Sequence, residues 1–107
     1  MSKMINVKDF SKYPGPRYSH LGSFSGEEFR DEFLIPAINE YEFIGVNLDG
    51  VFGYGSSFLE EAFGGLVRKG VKKESIDFIR NNLVSKDDPS IIIEIQSYID
   101  DEFAKNM

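Results

Sequence analysis

The chain has 107 residues, 41% of them hydrophobic, with ten Phe and five Tyr; that is apolar surface for one core and too little for two, which argues against both disorder and a second domain. A formal net charge of −6 repels a phosphate backbone, so nucleic acid is not an expected partner, and the absence of cysteine excludes disulfides, thiolate metal sites and cysteine nucleophiles. A single domain over residues 1–107 is expected.

The opening MSKMINVKDF carries no apolar core of signal-peptide length, and no later run approaches the roughly 18 apolar residues of a membrane span, so a cytoplasmic protein without membrane contact is expected. Met4, Ile5, Val7 and Phe10 suggest a first strand. Tyr13-Pro14-Gly15-Pro16 has the chemistry of a tight turn, after which Arg17 to Ser23 is read as a returning second strand. Ser25-Gly26-Glu27-Glu28 has the form of a capping box, with Ser25 as N-cap and Glu28 reaching back. Phe29, Phe33, Leu34, Ala37, Ile38 and Tyr41 then share one helix face, which Pro36 should kink near its end.

From Phe43 to Asp49 the pattern becomes alternation, with Ile44, Val46 and Leu48 on one face and Gly45, Asn47 and Asp49 on the other. A strand covered on one face only fits helices packed on one side of the sheet better than a doubly wound arrangement. After Gly53-Tyr54-Gly55, the rows Phe58/Ala62/Leu66 and Leu59/Phe63/Val67 make a helix face. Gly64 and Gly65 inside that helix suggest a close backbone approach, and Gly70 suits a left-handed C-terminal cap. Ser75 to Val84 serves as either a strand or a helix, and a strand is the reading adopted. Asp88-Pro89 reads as N-cap and first helical residue, with Ile91, Ile95, Ile99 and Phe103 stepping by four, although Ile91-Ile92-Ile93 also has the composition of a strand.

The stretch from Ile44 to Leu59 places a strand, a glycine loop and two serines at a helix start. The first N–H groups of such a helix lack partners and carry partial positive charge, so an anion or a phosphorylated serine is stabilised there, with Arg17 and Gly53 as the candidate anion contacts. Plain capping by Ser56 and Ser57 is the competing structural explanation. Gly53-x-Gly55 is not a dinucleotide fingerprint, because Phe58 holds the third glycine position, and no cofactor is expected. No glycine-x-serine-x-glycine elbow surrounds the serines, His20 has no second histidine with which to share a metal, and the adjacent Glu60 and Glu61 diverge by about 100° on a helix, which favours solvation over paired acid/base work. Arg68, Lys69, Lys72 and Lys73 complement a helix C-terminus rather than forming a nucleic-acid patch.

Gly15-Pro16-Arg17, Ser25-Gly26-Glu27-Glu28-Phe29-Arg30 and Ser56-Ser57-Phe58-Leu59-Glu60-Glu61-Ala62-Phe63-Gly64 together resemble the STAS-like domain family of unknown function, over roughly residues 5 to 100. The family is related to the STAS domains of bacterial anti-sigma factor antagonists. The resemblance implies an α/β fold with a mixed β-sheet of about four strands and helices packed mainly on one face. In those antagonists an Asp-Ser-Ser-Gly stretch opens a helix and its first serine is phosphorylated to switch partner binding. Ser56 matches that serine by position, while Gly55 replaces the aspartate and Phe58 replaces the glycine.

The function expected from this combination is a non-enzymatic regulatory protein-protein interaction module of a bacterial or phage system, its partner surface including Tyr54, Gly55, Ser56 and Ser57. A small-ligand or nucleotide-binding domain, using the same helix start with Arg17 or Asp49, is the alternative. An enzyme with Ser56 as nucleophile or Asp49 as base is the third. An exposed strand edge also leaves self-association open.

Overall fold

The computed structural model describes residues 2–105. Strand β1 (Ser2–Asn6) runs into a single helical turn, α1 (Val7–Phe10), so Val7 and Phe10 enter the core from that turn rather than from the strand. Helix α2 covers residues 26–41, β2 is Phe43–Asn47, α3 covers residues 56–68, α4 is Lys73–Arg80, β3 is Leu83–Val84 and α5 is Ser90–Lys105. The sheet has three strands in the order β1-β2-β3, and both pairings are parallel, from Ser2↔Phe43 to Asn6↔Asn47 on one side and Val46↔Leu83 on the other. The expected mixed sheet of about four strands is thus corrected to a parallel sheet of three.

The missing strand is Arg17–Ser23. Its backbone bonds to the start of α2, with Gly26 N–H donating to Pro16 O (2.9 Å) and Glu27 N–H to Arg17 O (3.0 Å), and a 3-10 turn (Ser19–Leu21) follows. These carbonyls satisfy helix N–H groups that have no intrahelical acceptor, so they are spent on a helix end instead of a ladder. Ser75–Val84 also differs from the expected strand. Ile76 and Ile79 lie one helical turn apart and are fully buried, which draws the segment into α4 and leaves only Leu83–Val84 for pairing.

Ser25 caps α2 as expected: its Oγ accepts from Glu28 N–H (3.0 Å), and the Glu28 carboxylate returns to Phe24 N–H (3.3 Å). Pro36 follows a wide π turn at Arg30–Leu34, which makes room for a ring that would otherwise meet the carbonyl four residues back. A second π turn, Glu60–Gly64, interrupts α3. Gly70 (φ 76°) ends α3 in the left-handed conformation, with Val71 N–H returning to Leu66 O (3.1 Å). Asp88 caps α5 through its bond from Ser90 N–H (3.2 Å), and Ile91–Ile93 is helical.

Ile44, Val46 and Leu48 point into one hydrophobic cluster with Phe29, Phe58 and Phe63. The opposite face, which carries Ser2, Met4, Phe43 and Gly45, is met at its rim by Phe78 and Asn82, and Met4 stays 44% exposed. Among the described residues no helix is long and apolar enough to cross a membrane.

Candidate functional site

Parallel strands bring their C-terminal ends together at one end of the sheet, and ligands of open α/β sheets commonly sit at that end. Here the loop after β2 is clipped to its neighbours at several points. The Asp49 carboxylate accepts from the backbone N–H groups of Asp87 (2.8 Å) and Lys86 (3.1 Å), and Gly50 N–H donates to Asp87 Oδ2 (3.1 Å). Phe52 N–H donates to Lys12 O (2.9 Å), tying in the segment after α1. The backbone bonds from Asp87 and Lys86 hold the Asp49 carboxyl below its usual range, which makes it a clip between loops and a weak base.

Tyr54 is half-buried, and its hydroxyl donates to Leu48 O (2.7 Å); burial, helped by the negative charge of Asp49 and Asp87, pushes the phenol above its ordinary range. Phe52, Gly53 and Tyr54 form one wall of a cavity of about 430 Å³, and Asp87, Asp88 and Glu94 stand on the other. At its lip Phe52, 74% exposed, stacks on Tyr13, 68% exposed, with ring centroids 4.8 Å apart. Neither ring was singled out from the sequence as a site residue. The visible signal was an aromatic at each of two loops rich in glycine or proline.

Ser56 and Ser57 open α3 and are exposed, with Gly55 as the extended N-cap residue and no side-chain cap on the helix. Capping therefore does not account for these serines. The Tyr98 hydroxyl donates to Glu94 (2.5 Å) and lies beside Ser56, with burial first and Glu94 second raising that phenol above its usual range. Phe58, where the antagonists have glycine, is 1% exposed and stacks on Phe29 at 5.9 Å, so the core takes that position.

Tyr54 to Ser57 thus share one corner. Arg17 is not brought to Gly53: Gly53 lines the acidic cavity, whereas the Arg17 guanidinium is bound to Glu60 and lies 3.5 Å from Glu61. His20 stacks on Tyr18 (5.7 Å), and neither it nor Ser56 lines the acidic cavity. Among the described residues no group of His, Asp or Glu has the geometry to hold a metal.

Glu60 and Glu61 are not the solvated pair expected from their adjacency. Arg68 binds Glu60 (2.8 Å), Glu61 (3.1 Å) and Glu102 (2.7 Å), while Arg30, 2% exposed, binds Glu61 and Asp31. The wide turn of α3 lets these carboxylates collect on one seam between helices. Gly65 is needed there because a Cβ would lie 2.5 Å from Arg30 Nη1, so a charged side chain, and not a backbone, makes the close approach.

Residues 25–87 match the family described as STAS-like domain of unknown function. The chain belongs to that family. The matched span contains the Ser25–Arg30 and Ser56–Gly64 stretches and leaves Gly15-Pro16-Arg17 outside it. No curated protein and no solved structure matches this STAS-like domain.

Proposed function

We propose that this STAS-like domain is a non-enzymatic regulatory module that binds a protein partner through the corner formed by Tyr54, Gly55, Ser56 and Ser57, extended by the Tyr13–Phe52 stack. The observation that carries the reading is the pairing of two exposed serines that do not cap their helix with an adjacent exposed aromatic stack. Exposed aromatics are costly to leave in water and are the side chains that anchor protein interfaces. A phosphate on Ser56 would add about −1.5 to −2 charge beside the Tyr98–Glu94 pair and near a wall that already holds Asp87 and Asp88, which favours release of an acidic partner surface.

The nucleotide-binding alternative is weakened by the same wall, since three carboxylates face the space a phosphate would occupy. The test is affinity capture from a lysate of the native host with wild type, Ser56→Asp and Phe52→Ala. A protein retained by wild type and lost from both variants supports the corner as the partner surface. Equal retention of every specific protein by all three would remove it.

A further inference from the structure

A second concavity lies away from the serine corner, between the end of α2 and the start of α4, with a volume of about 550 Å³. This is within the usual range for small-molecule sites, roughly 300–1,000 Å³. Its floor is apolar, formed by Ile35, Ile38 and Val71. Its rim carries Lys72 and Ser75 from the start of α4, an eight-residue helix whose N-cap, Lys72, supplies no side-chain hydrogen bond to the helix. Ser75 N–H already returns to Lys72 O (3.1 Å), so the leading N–H groups left without an intrahelical acceptor, and carrying partial positive charge, are those of Lys73 and Glu74.

The second observation is Ser75. It is 1% exposed, lines this cavity, and its hydroxyl has no hydrogen-bond partner among the described residues. Among the described residues, every side-chain nitrogen or oxygen that is sealed from solvent does have a partner. The Ser75 hydroxyl therefore keeps its remaining opening onto the cavity, as a donor waiting for an acceptor. Lys69, on the same rim, makes no ion pair among the described residues, whereas Lys72 is held by Glu42 at 3.0 Å. Glu42 is the carboxylate that faces an incoming anion, and its charge is offset by that lysine.

We infer that this cavity binds a small organic anion, with a carboxylate or phosphate head on the α4 N-terminus, Ser75 Oγ and Lys69, and an apolar body on Ile35, Ile38 and Val71. The site is independent of the serine corner and of any partner bound there. An unpartnered hydroxyl in a buried position adds nothing to the ligand-free fold, so its role separates from a structural one.

The experiment is a titration of ¹⁵N-labelled protein with hexanoate and hexyl phosphate, and with acetate and inorganic phosphate as head-only probes, for wild type, Ser75→Ala and Lys69→Glu. The tailed probes should shift the amide signals of Lys73, Glu74 and Ser75, and bind several-fold more tightly than the head-only probes. Ser75→Ala should weaken them about tenfold while leaving the thermal midpoint of the ligand-free protein unchanged or raised. Lys69→Glu, at an exposed position that cannot disturb the core, should weaken them at least as much. The inference is overturned if no probe moves those amides, if both variants bind like wild type, or if acetate and phosphate bind as tightly as their tailed counterparts. A fall in the ligand-free midpoint of Ser75→Ala would also overturn it, by showing the hydroxyl to be structural.

Discussion

Helices α2 and α3, which pack against each other, begin in opposite ways. At the start of α2, Ser25 is fully buried, accepts from Glu28 N–H and is joined by Ser19 Oγ at 3.0 Å. At the start of α3, Ser56 and Ser57 are exposed and cap nothing. Serines before an apolar helical run thus serve two different ends within one small domain. One is consumed by the fold, and the other pair is left available to something outside it. The difference follows from what stands in front of each helix: Pro16 and Arg17 carbonyls close over α2, while Gly55 leaves α3 open.

The largest effect that would break this contrast comes from Gly26. A Cβ there would lie 2.4 Å from Phe58 O and 3.1 Å from Phe58 Cα, backbone atoms of the other helix start that cannot step aside. Gly26→Ala should lower unfolding free energy by about 3 kcal/mol in a urea titration and should shift the amide signals of Ser56 and Ser57. A loss confined to a few tenths would mean that the two starts are not in contact.

Next come the serines themselves. Ser25→Ala should cost about 1 kcal/mol through loss of the cap, whereas Ser56→Ala should stay within about 0.5 kcal/mol of wild type. Matched urea titrations of the two variants decide it, and equal losses would return Ser56 to a structural role.

The smallest effect lies further along α3. The hydrogen bond from Arg68, then burial opposing it and the bond from Arg17, leave the Glu60 carboxyl below its usual value. A carboxyl depressed in the folded state contributes stability that is complete above its unfolded value, about 4.3, and is lost as pH falls through the lower folded value. The thermal midpoint should therefore hold above about pH 5 and fall below about pH 4, and Glu60→Gln should make that acid limb shallower. An unchanged limb would show that the seam adds no acid sensitivity.

The parts of the fold that could be read from the sequence are those written in local chemistry. The Ser25 cap, the alternation of Ile44, Val46 and Leu48, the Gly70 terminator and the Asp88-Pro89 start each depend on neighbours within a few residues. The parts that local chemistry leaves open depend on distant acceptors. Arg17–Ser23 has extended-chain composition, but the Pro16 and Arg17 carbonyls at its start are claimed by Gly26 and Glu27. Ile76 and Ile79 fit either period, and the choice of helix is made by burial against the rest of the core.

The same holds for the candidate site. Tyr54 to Ser57 are contiguous and could be found by reading along the chain, whereas Tyr13 meets Phe52 only because Phe52 N–H binds Lys12 O. The Arg17, Arg30 and Arg68 seam was hidden because it requires a wide turn in α3 that residue spacing does not announce. Asp49 offered itself as a polar ligand contact, and only the position of the Lys86–Asp87 backbone turns it into a clip.

The parallel order of the sheet also bears on how the chain is made. Asn6 reaches its partner Asn47 across 41 positions, and β2 cannot meet β3 until Leu83 exists. A ribosome adding about 5–20 residues per second leaves β1 without a partner for roughly two to eight seconds. During that wait Ile5, which packs against the core in the finished fold, is a bare apolar side chain on an unpaired strand. The nascent chain is therefore open to aggregation at β1 before β2 emerges, and the α2 segment between the two strands is made in time to shield its core-facing side.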